Sequence, residues 1–232
     1  MEIFGRRAIT LLFLAFYLGM TPHAFAYEVK GRISISEPFP QPKKIQVAGK
    51  HQATCGHEQV SEALMVSSNG SLKNAVVSLK GDFKEAFFSK SESLTLDQKN
   101  CNFRPHVLIV SQNSPFFVAN SDPMAHDVRI FNQASMLVRF EMDVNDKPVE
   151  KRLERAGTYV VRCGLHQWMH AFIVNASHPY FAVTSEEGEF VLQNIPQGKY
   201  LLHIWHETLG ETEMPLEVLD NISDFSYTFN RA

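Results

Sequence analysis

The chain carries no long basic run, and its formal charge is only −3 over 232 residues. Nucleic acid and anionic membrane are therefore excluded as preferred partners. Beyond the N-terminus no apolar stretch approaches spanning length, so no stable membrane insertion is expected of the mature chain. There is no low-complexity segment, no exact repeat and no long amphipathic helix. No nucleophile stands beside a paired base and there is no phosphate-binding loop, so the chain is not read as an enzyme. Clustered exposed aromatics are few. Cysteine is scarce: Cys55, Cys101 and Cys163 are the full set. In an oxidising compartment free thiols tend to pair, so an odd one needs another occupation.

The N-terminus sets the compartment. Arg6 and Arg7 precede an apolar run from Ala8 to Leu18, and small residues follow at Ala24-Phe25-Ala26. This is the layout of a secretory signal peptide over residues 1–26. The run is short for a retained anchor, no cysteine follows it as in a lipoprotein, and the arginine pair fits a twin-arginine signal only loosely. Mature protein is expected to begin near Tyr27, in the periplasm or otherwise secreted.

What remains reads as mostly β. Ile33-Ser34-Ile35 and Ala75 to Leu79 alternate, and so do Val128 to Phe131 and Thr158 to Arg162. His106 to Val110 and Phe116 to Val118 read as more buried strands, and Ala171 to Val174 is a short apolar run. Phe190 to Leu192 and Tyr200 to Trp205 complete the set. Short strands broken by Gly, Pro, Asn and Ser indicate β-sandwiches, and Ser61 to Met65 is a helical turn at most. Three stretches differ in character: a polar, Lys-rich region at 27–100, a region of candidate metal ligands at 101–175, and a strand-and-turn region at 176–232.

The chemistry concentrates in Cys163-Gly164-Leu165-His166-Gln167-Trp168-Met169. One tight loop between two strands presents a thiolate, an imidazole and a thioether. Soft sulfur with imidazole suits copper, and one Cys with two His and a weak axial Met makes a blue-copper site. The missing imidazole is offered by His126, which follows the Pro-containing turn Asn120 to Ala125. Met124 is a competing axial group. His170 reads as a surface residue. Trp168 either excludes water from the site or belongs to an apolar docking patch around an exposed edge of His166. A second, zinc-type set could be drawn from His51, Cys55, His57, Cys101 and His106. His178, His203, His206 and Glu207 fit no metal motif and read as surface or packing residues.

Over residues 102–175 the sequence resembles the cupredoxin family, on His126 after its turn, the strand Gly157-Thr158-Tyr159, and the C-x-x-H-x-x-M loop. The short loop is most similar to that of amicyanin. The resemblance implies His126, Cys163, His166 and Met169 as copper ligands, single-electron transfer, and a redox partner protein. Two departures concern the surroundings of the ligands: Asp127 stands where the family often has Asn, and Gly164-Leu165 where a Pro commonly precedes the second His. With Cys163 given to copper, Cys55 and Cys101 remain to form a disulfide. Residues 181–205 resemble the second half of a carboxypeptidase regulatory-like domain, a transthyretin-like sandwich whose first half is similar to the stretches around Gly31 and Ala75 to Gly81. The implied architecture is all-β: a cupredoxin-like Greek-key sandwich plus a smaller transthyretin-like sandwich, either discontinuous or built as two modules. Two other functions stay open, copper storage or delivery without redox cycling and a cell-surface binding module.

Overall fold

The computed structural model describes residues 26–83 and 94–230. The expected signal peptide lies outside the described residues except for Ala26, which opens the first strand. In chain order the strands are β1 (Ala26–Ile35), β2 (Lys44–Gln46), β3 (Glu58–Val60), β4 (Val76–Lys80), β5 (Thr95–Lys99) and β6 (Asn102–Arg104). Then come β7 (Val107–Ser111), β8 (Phe116–Asn120), β9 (His126–Asn132), β10 (Ser135–Met142), β11 (Val149–Lys151) and β12 (Gly157–Cys163). The chain ends with β13 (His170–Ala176), β14 (Phe181–Val183), β15 (Glu189–Pro196), β16 (Gly198–His206), β17 (Gly210–Val218) and β18 (Ile222–Phe229). The helical content is a 3-10 turn at Gly49–His51 running into α1 (Gln52–Cys55). Among the described residues no helix is long and apolar enough to cross a membrane. The protein is all-β, as expected; the helical turn falls at 49–55 rather than at 61–65.

Among the described residues β2-β3 is a separate two-stranded ribbon, and two sandwiches account for the other four of the five sheets. In one, the order β15-β1-β18 faces β14-β4-β16-β17 across a core of Val29, Ile33, Leu79, Leu192, Leu202 and Ile204. In the other, β10-β9-β12-β13-β7 faces β11-β8-β5-β6 across a core of Leu96, Phe103, Phe116, Val118, Ile130 and Ile173. Two ladders of the second sandwich are parallel, β5 with β8 and β7 with β13, so its chain must cross between edges rather than meander. Residues well before position 101 belong to this second core: Val47 and Cys55 are buried in it, and β5 is one of its strands.

β13 joins the two bodies. Its side chains alternate across the sheet, so Ala171 and Ile173 enter the second core. Phe172 and Val174 point the other way and pack with Val76 and Val107 in a third cluster. Partly buried Phe181, Val183 and Trp205 of the first sandwich close that cluster. This explains why β13 is apolar on both faces, which the sequence pattern also showed. Burying Phe172 there is worth about 2 kcal/mol on area grounds, and Trp205 meets its ring at 5.0 Å.

Candidate metal centre

β12 and β13 are adjacent antiparallel strands, and the loop between them carries Cys163 to Met169. Its closure is set by backbone bonds. Cys163 N–H donates to the Met169 carbonyl at 3.1 Å, and Met169 N–H donates to the His166 carbonyl at 3.0 Å. β9 lies on the other side of β12, with Cys163 paired to Val128. That register puts His126, the first residue of β9, beside the loop. Cys163, His126, His166 and Met169 are 6%, 0%, 0% and 1% exposed.

Three of the sequence-predicted ligands come together. The Cys163 Sγ lies 3.7 Å from His126 Nδ1 and 3.5 Å from His166 Nδ1. The three donor atoms fall within 4.8 Å of one another. Metal bonds of about 2.0 Å to nitrogen and about 2.3 Å to sulfur, meeting at a trigonal angle, separate such donors by about 3.7 Å. The residues present therefore fit a metal of copper or zinc size. Met169 is buried in the same core cluster as Cys163. Met124, the alternative thioether, instead packs on a disulfide, its Sδ 3.8 Å from both Cys55 and Cys101 sulfurs.

Both imidazoles are held from behind. His126 Nε2–H donates to Asp122 Oδ2 at 2.9 Å, which leaves Nδ1 as the nitrogen that faces Cys163. Asp122 is itself fixed, accepting the N–H groups of Asn100 at 2.6 Å and Cys101 at 2.8 Å. Asn100 and Cys101 occupy consecutive left-handed conformations, φ 53° and 55°, which are costly for residues other than glycine. The carboxylate thus bridges that turn to His126. Sequence reasoning passed over Asp122; its spacing of four residues before His126, inside the turn already singled out, was the available signal. His166 Nε2 shares a hydrogen bond of 3.2 Å with His51 Nδ1.

Charge follows from these contacts. Burial works to raise the Cys163 thiol, but hydrogen bonding with His126 and His166 and to the N–H groups of Asp127 and Leu165 outweighs it, and the pKa falls to about 6. Burial works to lower His126, yet Asp122 and Cys163 raise it to about 9. Both directions favour the charged pair, a Cys163 thiolate facing a His126 imidazolium, whose proton a cation would displace.

The two departures from the cupredoxin pattern have a local explanation. The Asp127 side chain is 2% exposed and pairs with Arg129 and with Arg139 at 3.1 Å. The tie between the ligand segments is made by backbone instead, Gly164 N–H donating to the Asp127 carbonyl at 2.8 Å. A Cβ at position 164 would meet the Asp127 carboxylate and the Arg129 guanidinium, so that ion pair would have to shift to admit a side chain there.

Several expectations change. His166 has no exposed edge for a docking patch: His51 covers it with ring centroids 4.5 Å apart, and Trp168 packs at 5.1 Å. Trp168 is anchored by its Nε1–H to the Cys101 carbonyl at 3.0 Å. Cys55 and Cys101 form a disulfide, so the zinc-type set of His51, Cys55, His57, Cys101 and His106 does not assemble. His106 pairs with Glu207 instead, and so does His170, which is not a free surface residue. Outside His51 and Trp168 lies a groove rimmed by Lys43, Lys44, Lys50 and Leu165.

No family profile matches the chain and no curated protein matches it. Among solved structures, the chain is similar to a purple cupredoxin from Nitrosopumilus maritimus, at 14% identity and TM-score 0.33, over 36% of this chain and 100% of that one. It is similar to a copper-containing nitrite reductase from Thermus scotoductus, at 15% identity and TM-score 0.32, over 40% and 26% of the two chains. Amicyanin from Paracoccus versutus aligns at 11% identity and TM-score 0.34, over 43% of this chain and 97% of amicyanin.

Proposed function

We propose that this protein binds one copper ion through His126 Nδ1, Cys163 Sγ and His166 Nδ1, with the Met169 thioether as fourth ligand, and exchanges single electrons with a partner protein. The observation that carries the reading is the buried triad itself, one sulfur with two imidazole nitrogens at 3.5 and 3.7 Å. Copper supplies a one-electron couple that soft sulfur and imidazole stabilise in both oxidation states. The chain's own part is to hold its donors still. Asp122 and His51 fix the two rings from behind, so little rearrangement is needed between states. The shortest bonded exit runs from His166 to His51, whose ring reaches the Lys-rimmed groove. We read that groove as the side a redox partner would approach.

With Met169 as fourth ligand and His166 fully buried, the site would have no open position for substrate, which argues against an enzyme. Closure also disfavours ready handover of metal, the storage or delivery alternative. Seven strands in two sheets around one core support reading the flanking body as a transthyretin-like frame. The disulfide together with the signal-like N-terminus supports export.

The test is addition of Cu(II) to purified mature protein, followed by visible and electron-spin-resonance spectroscopy and a redox titration. An intense thiolate-to-copper band that bleaches and returns reversibly is the expected result. An unchanged spectrum in Cys163→Ser or His126→Ala would overturn the ligand assignment, and a colourless, non-cycling adduct would overturn electron transfer.

A further inference from the structure

A second cluster of ligand-type side chains lies where the two sandwiches meet. His106 directly precedes β7 and His170 opens β13, both in the sandwich that carries Cys163. Glu207 follows β16 of the other sandwich. Its two carboxylate oxygens are divided between the histidines. His106 Nε2 lies 2.5 Å from Oε1, and His170 Nε2 lies 2.8 Å from Oε2. One donor atom from each residue falls within a 4.8 Å sphere. The side chains of His106, His170 and Glu207 are 2%, 23% and 12% exposed.

We propose that His106, His170 and Glu207 form a second metal site, for a divalent cation such as zinc, which clamps the two sandwiches together. The donor set is two imidazoles and one carboxylate, without sulfur. That selects zinc or Cu(II) over Cu(I), a preference opposite to the softness of the Cys163 site. Metal bonds of about 2.0 to 2.2 Å at a tetrahedral angle separate donors by about 3.4 Å. From the distances above, Glu207 would have to withdraw by less than about 1 Å, within reach of a side-chain rotation.

Two details beyond proximity support it. The second ring nitrogen of His170 lies 3.1 Å from the Trp168 carbonyl, to which its N–H donates. A backbone carbonyl behind the ring is the usual arrangement for a metal-ligating histidine, because it fixes the tautomer and leaves Nε2 free to coordinate. His106 lacks that arrangement, its second ring nitrogen being buried without a hydrogen-bond partner. The nearby Glu62 oxygen stands 3.9 Å from it and is paired with Arg104. Among the described residues Glu207 pairs with no arginine or lysine; the two imidazoles are its partners. Sequence spacing could not reveal the set, since Glu207 lies 101 residues from His106 and 37 from His170.

The consequence is positional. His170 immediately follows Met169, so a cation here would pin the end of the loop that carries Cys163 and His166. It would also join that loop to the other sandwich beside the Phe172–Trp205 contact.

The experiment is run on mature chain in which Cys163→Ser and His126→Ala remove the first site, so its outcome does not depend on copper binding there. Zn(II) and Co(II) are titrated by calorimetry and visible spectroscopy. The expected result is one equivalent bound, a cobalt spectrum without a sulfur charge-transfer band, and a zinc-dependent rise in Tm. Glu207→Gln and His106→Gln, each added separately and checked for native circular dichroism, should weaken binding by about tenfold or more. Absence of saturable binding in the parent needs no further variant and overturns the proposal. So does binding that either substitution leaves unchanged.

Discussion

The Cys55–Cys101 disulfide closes a loop with a sequence separation of 46, and this loop passes through both sandwiches, since it contains β3, β4 and β5. Loop-closure entropy for that length gives about 4 kcal/mol of stabilisation. The structure adds a local role. Both cysteines are essentially buried, and the Cys55 Sγ lies 3.9 Å from His166 Nε2. The bridge therefore pins α1, and with it His51, over the metal centre. The perturbation is Cys55→Ala/Cys101→Ala, measured by urea unfolding of mature protein and by hydrogen exchange of the amides from 47 to 56. Global stability should fall by about 4 kcal/mol, and the segment carrying His51 should lose protection more than the β9–β12 ladder does. Wild-type protein reduced under mild denaturation should match the double variant. A loss below about 1 kcal/mol, or protection at 47–56 unchanged, would refute the reasoning. It would mean that Val47 burial and the Gln52 side chain donating to the Val47 carbonyl at 2.9 Å hold the segment unaided.

Two further outcomes test other contacts. Asp122→Ala removes the carboxylate behind His126 and strands two N–H groups. Copper affinity should fall about 10- to 100-fold, read by competition with a chelator, and unchanged affinity would show that Asp122 does not orient the ring. His178 is packed against the rings of Phe83, Tyr180 and Phe181, and burial lowers its pKa from 6.5 to about 4. The unfolded chain then binds the proton more readily, so this stability is present above pH 6.5 and is lost as pH falls toward about 4. Urea midpoints across that window should decline less steeply in His178→Phe than in wild type; parallel slopes would count against it.

What was legible in the sequence was local. Cys163 to Met169 is contiguous, so its donors could be seen together before any fold was known. The strands at Val128 to Phe131 and Thr158 to Arg162 alternate and lie within β9 and β12. β10 escaped notice although its pattern alternates weakly, because Met136 and Leu137 on it are about half exposed. β17 and β18 alternate in burial too, but their outward positions are Glu, Asp, Ser and Thr, which read as turn-prone. The cover over His166 was invisible for a different reason. His51 reaches it from 115 residues away, on a helical turn too short to leave a periodic signature. Glu207 was passed over on the same ground, since spacing along its own strand says nothing about what lies across an interface.

The placement of β1 between β15 and β18 has a consequence for the order in which the molecule can be made. The partners of this strand stand as much as 170 residues (Ala26 to Pro196) and 194 residues (Ser34 to Thr228) further along the chain. A polypeptide emerging N-terminus first would present β1 with both edges open until β15 was out, and with one edge open until β18 was. The body carrying Cys163, by contrast, has all its strands once residue 176 is out. The long-range pairing is thus the slow step, and the ligand loop would be built before the frame around it closes. An N-terminal strand that waits so long is also where pairing with a second chain is easiest.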